Sequence, residues 1–468
     1  MAHEQDVSVA LSGGGHRATV FGLGALLALT DAGLNQRCTS ISSVSGGSIA
    51  NGIVLVGPDF ATVDVATFES HLQPALRSIA SRGVLLKGAP ATRSYLRTLI
   101  GCGVVGAIGV VTAIVFFIAH WSGAAAVALV VAVMLLAIAG KLLLERSART
   151  EAAIDSELLG DKHITLAQVK AMTSSVHHVI CTTELQTGEP FYFTNRAVYG
   201  YRFGSSCGDV NVALATAVQA SACVPGAFGP RSIPLTTLGV HAPVNRDGTT
   251  AGTVDQIVVN DGGVYDNMAD QWEYRFAQRA TEWTQLNTVQ PNRARMLFVV
   301  NGSGGWNSAK PIGHGALSQE LASVLRAKDV QYDVSTAHRR QALYAAFRDA
   351  ENSSRDAGID GLFVQIVDSP YRLPKLLGTA QTGKNEPLNL RADEAFIFLD
   401  NQGYSQDWWD KTVHTTSGTG TVLSALGVPV ASALLEHGYV LTMINAYVLD
   451  GLGELRPIDR QRFTRLCS

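Results

Sequence analysis

Apolar and polar positions alternate in short runs along the first three hundred residues, and stretches of helical spacing separate those runs. Val7–Leu11, Cys38–Val44, 176–181, 256–259 and 296–300 read as strands, and 18–29, 48–56 and 212–219 read as helices. That order predicts an α/β layered fold whose sheet is covered on both faces. Beyond residue 305, a long helical pattern covers 318–349 and carries Arg326, Lys328, Asp329, Asp333, Arg339 and Arg340, read as mostly solvated faces. Segments 379–387 and 415–420 read as loops, 431–449 reads as a closing helix, and no internal repeat is evident.

The alternation is interrupted once. Residues 99–119 and 121–140 run about twenty positions each without a charge, long enough at about 1.5 Å per residue to cross a hydrocarbon layer of about 30 Å. Between them lies His120-Trp121-Ser122-Gly123, a polar tip with an indole suited to the headgroup level. Small residues four apart, in Gly103/Ala107, Gly109/Ala113 and Ala124/Ala128/Ala132, predict a closely packed hairpin. Lys87, Arg93 and Arg97 precede the first span and Lys141, Arg146 and Arg149 follow the second, while the tip holds no Lys or Arg. Both outer ends are therefore expected on the cytoplasmic side. The expected division is a catalytic domain made of 1–95 and 147–468, with 96–146 as an inserted transmembrane hairpin.

Candidate chemistry sits at the strand ends. Ser45, in Ser43-Val44-Ser45-Gly46-Gly47, occupies a strand-to-helix turn flanked by small residues, the setting that lifts a nucleophilic hydroxyl clear of a sheet. A serine needs a base and a hydrogen-bonded home for the oxyanion it creates. Gly13-Gly14-Gly15-His16-Arg17, at another such junction, turns backbone N–H groups and a helix N-terminus toward one point. Asp261, in Asn260-Asp261-Gly262-Gly263, is the candidate base, and its glycines leave the approach to the carboxylate clear. Because Ser45 precedes the insertion and Asp261 follows it, the chain must cross a membrane an even number of times for them to meet.

These motifs, in this order, resemble the patatin-like phospholipase family. The segment Ala220-Ser221-Ala222-Cys223-Val224-Pro225-Gly226-Ala227-Phe228-Gly229-Pro230 is similar to its proline block, and Thr182 with Thr187-Gly188 is similar to its hairpin. The likeness runs over most of 6–305 apart from the insertion. Ser43 stands where the elbow's first glycine usually is, and Cys223 replaces an alanine; both replacements are small. The resemblance implies a three-layer fold with a mainly parallel sheet and a Ser45–Asp261 dyad without histidine. Gly13, Gly14, Gly15 and Gly46 are then the oxyanion donors, and Arg17, Gly262 and Gly263 the supporting residues. The substrate implied is membrane phospholipid or another acyl lipid, with no cofactor and no metal.

Composition adds bounds. Net charge −3 gives no sign of a nucleic-acid partner. The six cysteines lack Cys-x-x-Cys spacing, so neither a zinc site nor a disulfide framework is expected, and residues 1–7 contain no apolar signal segment. His177, His178, His338, His414 and His437 are read as structural. Arg17 either positions the glycine loop or holds a lipid phosphate, and the structural role is favoured. A nucleotide-binding loop is disfavoured because no Lys-Ser/Thr follows the glycines, and a transporter because the spans carry no charge. The remaining alternative to an acyl hydrolase is a catalytically silent membrane-anchored scaffold.

Overall fold

The computed structural model describes residues 6–85, 90–172, 174–208, 210–245, 248–250, 252–276, 294–304, 316–352 and 359–468. Lys87, Gly305 and residues 1–5 lie outside these, as do the side chains of Arg93, Lys328 and Asp329.

Among the described residues, ten strands form one mixed sheet: β1 (Val7–Leu11), β2 (Cys38–Val44), β3 (His177–Glu184), β4 (Glu189–Thr194), β5 (Val198–Gly200), β6 (Gly204–Ser206), β7 (Arg231–Pro234), β8 (Gln256–Asp261), β9 (Met296–Asn301) and β10 (Asp360–Gln365). The order is β10-β9-β1-β2-β3-β4-β5-β6, with β8 joining β3 to β7 off that path. The run from β10 to β3 is parallel, and pairings beyond β3 are antiparallel. Side chains of β9 show why the sheet is buried on both sides. Phe298 and Val300 enter the larger core, while Leu297 and Val299 enter a smaller one with Trp272, Leu343, Phe347 and Phe363. Alternating positions that are all apolar mark a strand covered on both faces.

Over the larger core, helix Gly15–Asp31 crosses helix Val428–Asp450 at close range. Glycines permit this: a Cβ at Gly24 would overlap the Leu435 carbonyl, and one at Gly438 the Phe21 carbonyl.

Helices Pro90–Ile118 and Ser122–Leu144 are both long and apolar enough to cross a membrane, and they pack on each other as an antiparallel pair. Their seam differs from the expected one. A Cβ on Gly106 would crowd Leu136 and one on Gly109 would meet Ala132, whereas Gly103 has open space around it and Ala107 and Ala124 are exposed. Of the expected positions Gly109, Ala113 and Ala132 do face inward, and because the four-residue spacing drifts at 3.6 residues per turn, Gly106 and Ala125 complete the seam.

Other expectations also change. Positions 415–418 belong to helix Gln406–Gly418, within which the hydroxyls of Thr415, Thr416 and Ser417 fold back onto carbonyls one turn earlier. In 379–387, Thr379–Thr382 is a helical turn held by the Asp393 carboxylate on the Thr379 hydroxyl and amide. β10 was not anticipated, since its six residues follow a long helix and contain a glycine.

Candidate active site

β2 ends at Val44 and a helix begins at Gly46, so Ser45 is the whole turn between them. Its φ of 51° and ψ of −118° are forced on a non-glycine residue, a strain of about 1–3 kcal/mol that the surroundings must hold. They do so by close packing: a Cβ at Gly46 would overlap the Gly15 backbone, and one at Gly47 the Leu11 carbonyl. Beneath the elbow, Ser43 and Asn51 pair with one another and with β3. Ser43 Oγ donates to the Val179 carbonyl at 2.9 Å, and Asn51 Nδ2 donates to Ser43 Oγ at 2.9 Å. Ser43 thus does here what a bare glycine cannot, tying the elbow strand to β3.

Strand pairing brings Asp261 to the serine. Along β3, Ser40–Val44 of β2 pair with His177–Cys181, and β8 pairs antiparallel with the next residues, Asp261 opposite Thr182. β4 occupies the other edge of β3, so β2 and β8 share one edge and meet end to end. Val44 and Asp261 therefore sit opposite neighbouring residues. At this join a Cβ on Gly262 would overlap both Val44 and the Cys181 carbonyl. The outcome is a 3.0 Å hydrogen bond from Ser45 Oγ to Asp261 Oδ2, while Oδ1 accepts the Gly263 N–H at 2.8 Å. Both residues are buried, at 5% and 1% exposure.

The glycine loop lies against the elbow. A Cβ built on Gly13 would sit 3.2 Å from that of Ser45, and Gly14 and Gly15 adopt φ values of 139° and 60°. Gly13 N–H donates to the Asn267 carbonyl at 3.0 Å. The N–H groups of Gly14, Gly15 and Gly46 have no acceptor among the described residues. Arg17 is buried and spends its guanidinium on the loops around this one. It donates to the Gly302 carbonyl at 2.9 Å, the Thr419 carbonyl, and Thr421 Oγ1 at 3.3 Å. Burial lowers its pKa to about 10, which leaves it charged at neutral pH.

The histidines take up other work. His178 Nδ1 bonds Asn51 Oδ1 at 2.7 Å, and His437 is held between Thr416 and the Asp368 carbonyl, each at 2.9 Å. His177 stands edge-on to Trp272, and His338 and His414 are exposed. His16 Nδ1 lies 3.0 Å from the Ser424 carbonyl. Burial brings the pKa values of His16, His178 and His437 down to about 4. The buried Asp155 and the exposed Asp161 and His163 bring three possible metal ligands together, but His163 already pairs with Asp155.

Several residues around the site carried no signal of their own in sequence. Ser12 Oγ accepts the Gly302 N–H at 2.8 Å, Ser303 Oγ donates to the Gly13 carbonyl at 2.9 Å, and Asn267 Nδ2 donates to Ser303 Oγ at 2.9 Å. The turn Asn301-Gly302-Ser303 was legible; its contact with the glycine loop was not.

A patatin-like phospholipase family model matches residues 9–269, more than half of the chain. The chain belongs to the patatin-like phospholipase family. Among solved structures it is similar to human GIVD cytosolic phospholipase A2, at 11% identity and a TM-score of 0.45, with 99% of this chain and 60% of that chain covered. It is also similar to VipD from Legionella pneumophila, at 13% identity and a TM-score of 0.28, with 99% of this chain and 90% of that chain covered. The chain thus spans less than two thirds of the length of the human enzyme. No curated protein matches it.

Proposed function

We propose that this patatin-like protein is a serine lipid acyl hydrolase, of the phospholipase A or lysophospholipase type, working through a Ser45–Asp261 dyad and an acyl-enzyme. Asp261 takes the Ser45 proton as Oγ attacks an ester carbonyl. The tetrahedral oxyanion is received by the Gly14, Gly15 and Gly46 N–H groups, with the partial positive charge of the helix at Gly15 behind them. Gly13 leaves the donor set, because its N–H is already given to Asn267. Collapse of the intermediate expels the lyso-lipid alcohol, protonated from Asp261, and water repeats the sequence to free the fatty acid. Arg17 keeps its structural role, and Gly262 and Gly263 hold the aspartate end of the site.

The observation that carries this reading is the 3.0 Å hydrogen bond between Ser45 Oγ and Asp261 Oδ2. The two long apolar helices support a further part of it: 96–146 spans the membrane as a hairpin, and 1–95 with 147–468 forms the catalytic domain on the cytoplasmic face. That arrangement sets the site beside its substrate and favours bilayer lipid over a soluble ester. Labelling with a fluorophosphonate probe tests the reading. The full chain in detergent should be labelled and the Ser45→Ala chain should not. An unlabelled wild-type chain, folded by its melting transition, would favour the silent scaffold instead.

A further inference from the structure

Both residues of the dyad are held by their backbone amides as well as by each other, and both amides lead to one stretch of chain. Ser45 N–H donates to Ser221 Oγ at 3.0 Å; that hydroxyl donates to the Cys181 carbonyl at 2.6 Å and lies 2.8 Å from Ser48 Oγ. Asp261 N–H donates to the Cys223 carbonyl at 3.2 Å, shared with its neighbour's Asn260 Oδ1 at 2.8 Å. Ser221 and Cys223 are two residues apart, at the end of helix Leu214–Ser221. The nucleophile and the proposed base therefore take their backbone positions from a common holder.

That holder has its own seat. Helix Arg146–Leu158 begins two residues after helix Ser122–Leu144 ends. From its first turn Arg146 Nε donates to the Ala227 carbonyl at 2.9 Å, and the buried Ser147 Oγ donates to the Gly229 carbonyl at 2.8 Å. Cys223 Sγ donates to the same Gly229 carbonyl at 2.8 Å, closing the loop on itself. One turn further on, Glu151 accepts from Thr216 Oγ1 at 2.6 Å and pairs with Arg231. Four residues separate Cys223 from Ala227, a reach of at most about 14 Å. The foot of the second apolar helix and the dyad are thus joined by one short, hydrogen-bonded span.

We propose that residues 214–230 are a positioning segment that sets Ser45 and Asp261 from a single seat at the foot of the second apolar helix, with Ser221 and Ser147 as its positioning residues. The proposal rests on the dyad reading above. Ser221 is the more direct of the two. Without its Oγ the Ser45 N–H is buried with no acceptor, and the strained turn at φ 51° is free to rotate its peptide and swing the hydroxyl off Asp261. The helix after the elbow keeps its own bonds from Ser48 and Ile49 N–H to the Ser45 carbonyl, so the fold survives the loss. Ser147 acts one step back, by fixing where the segment lies.

The test uses the full chain in detergent with a soluble short-chain aryl ester as substrate, comparing wild type, Ser45→Ala, Ser221→Ala, Ser221→Cys, Ser147→Ala and the Ser221→Ala/Ser147→Ala double variant. Ser221→Ala should lower kcat by on the order of a hundredfold, the scale of an ångström of misplacement, with KM within about twofold. Ser221→Cys, which keeps a weak acceptor, should recover part of that loss. Ser147→Ala should lower kcat by roughly tenfold, and the double variant should fall short of the product of the two, because they act through one segment. Wild-type kcat in Ser221→Ala, in a chain whose Ser45→Ala form is inactive, overturns the inference and leaves the dyad standing. Absence of Ser45-dependent turnover in the wild-type chain removes the dyad reading and this inference with it. Should Ser221→Ala lose its melting transition, Ser147→Ala decides by the same criterion: a reduced kcat at unchanged KM supports the segment, and an unchanged kcat overturns it.

Discussion

At the scale of single residues, the site is a set of short polar contacts whose removal has a direction and a size. Ser45→Ala and Asp261→Asn should each abolish ester hydrolysis in protein that still melts cooperatively. The double variant should be scarcely worse than either, because groups acting as a unit are not additive. Hydrolysis by purified Ser45→Ala protein at more than a small fraction of the wild-type rate would count against the nucleophile. Gly14 is a separate probe. Its φ of 139° is closed to side chains, and a Cβ there would press on the Gly302 carbonyl and Ala18. Gly14→Val should therefore cut turnover by on the order of a hundredfold, the effect of losing one oxyanion donor, and stopped-time assays at saturating substrate would register it. Legibility at this scale was uneven. Ser45, Gly14 and Gly15 stand out because each takes a positive φ, and Asp261 because two glycines follow it. Ser221 lies within the proline-block pattern with no signal of its own, and Gly13's bond to Asn267 joins residues 254 apart with nothing local to announce it.

At the scale of elements, the segment that follows Asp261 is held by helix Ala316–Asn352 through one half-buried cation. Arg339 donates to both oxygens of Asp270, at 3.1 and 2.7 Å, donates to Gln271 at 2.8 Å, and lies 3.3 Å from Asp266. Expectation had put Arg339 on a solvated face; the sequence pattern cannot tell a solvated arginine from one reaching two buried carboxylates. Burial, then the charge of Asp266, raise the Asp270 pKa to about 8. Arg339→Met leaves those carboxylates unpaired and should destabilise the fold by about 3–5 kcal/mol. Protonation relieves the unpaired charges, so the loss read from urea midpoints should be smaller at pH 5 than at pH 8. Strands with strict patterns were legible for the same reason that these contacts were not: periodicity reports burial, and pairing partners depend on the rest of the chain. β8 illustrates this, since Gln256–Asp261 was visible as a strand, while its place beside β2 on the edge of β3 came only from the three-dimensional order.

At the scale of the molecule, acidity and the apolar pair govern behaviour. His16, His178 and His437 are neutral in the fold with pKa values of about 4, against about 6.5 in an unfolded chain. Between those values the unfolded chain binds protons that the folded one refuses, so stability falls as pH drops from about 6.5 to about 4. Asp270 works in the opposite sense, its raised pKa favouring the fold on the acid side of about 8. Burial also raises Asp368 and Glu436, which act with Asp270, so the histidine part is read by difference. Between pH 7 and pH 4.5 the melting temperature of His437→Gln should change less in the downward direction than that of the wild type, by the share of stability that His437 loses. The apolar pair has a separate signature. Replacing 99–143 with a short Gly/Ser linker should yield a soluble protein that hydrolyses short-chain esters but loses most activity on bilayer phospholipid, as local substrate concentration falls. A folded deletion protein still resistant to alkaline carbonate extraction would refute this.

The crossing of helix Gly15–Asp31 by helix Val428–Asp450 has a bearing on biogenesis. Its contacts, Gly24 on Leu435 and Gly438 on Phe21, join residues more than four hundred apart. At a synthesis rate of about 5–20 residues per second, the apolar pair leaves the ribosome tens of seconds before helix Val428–Asp450 does. Until helix Val428–Asp450 arrives, the glycine loop's own helix has a bare apolar flank. On the proposed topology the nascent chain is thus delivered to the bilayer first and becomes competent for chemistry afterwards, so newly made enzyme cannot act before it has been moored.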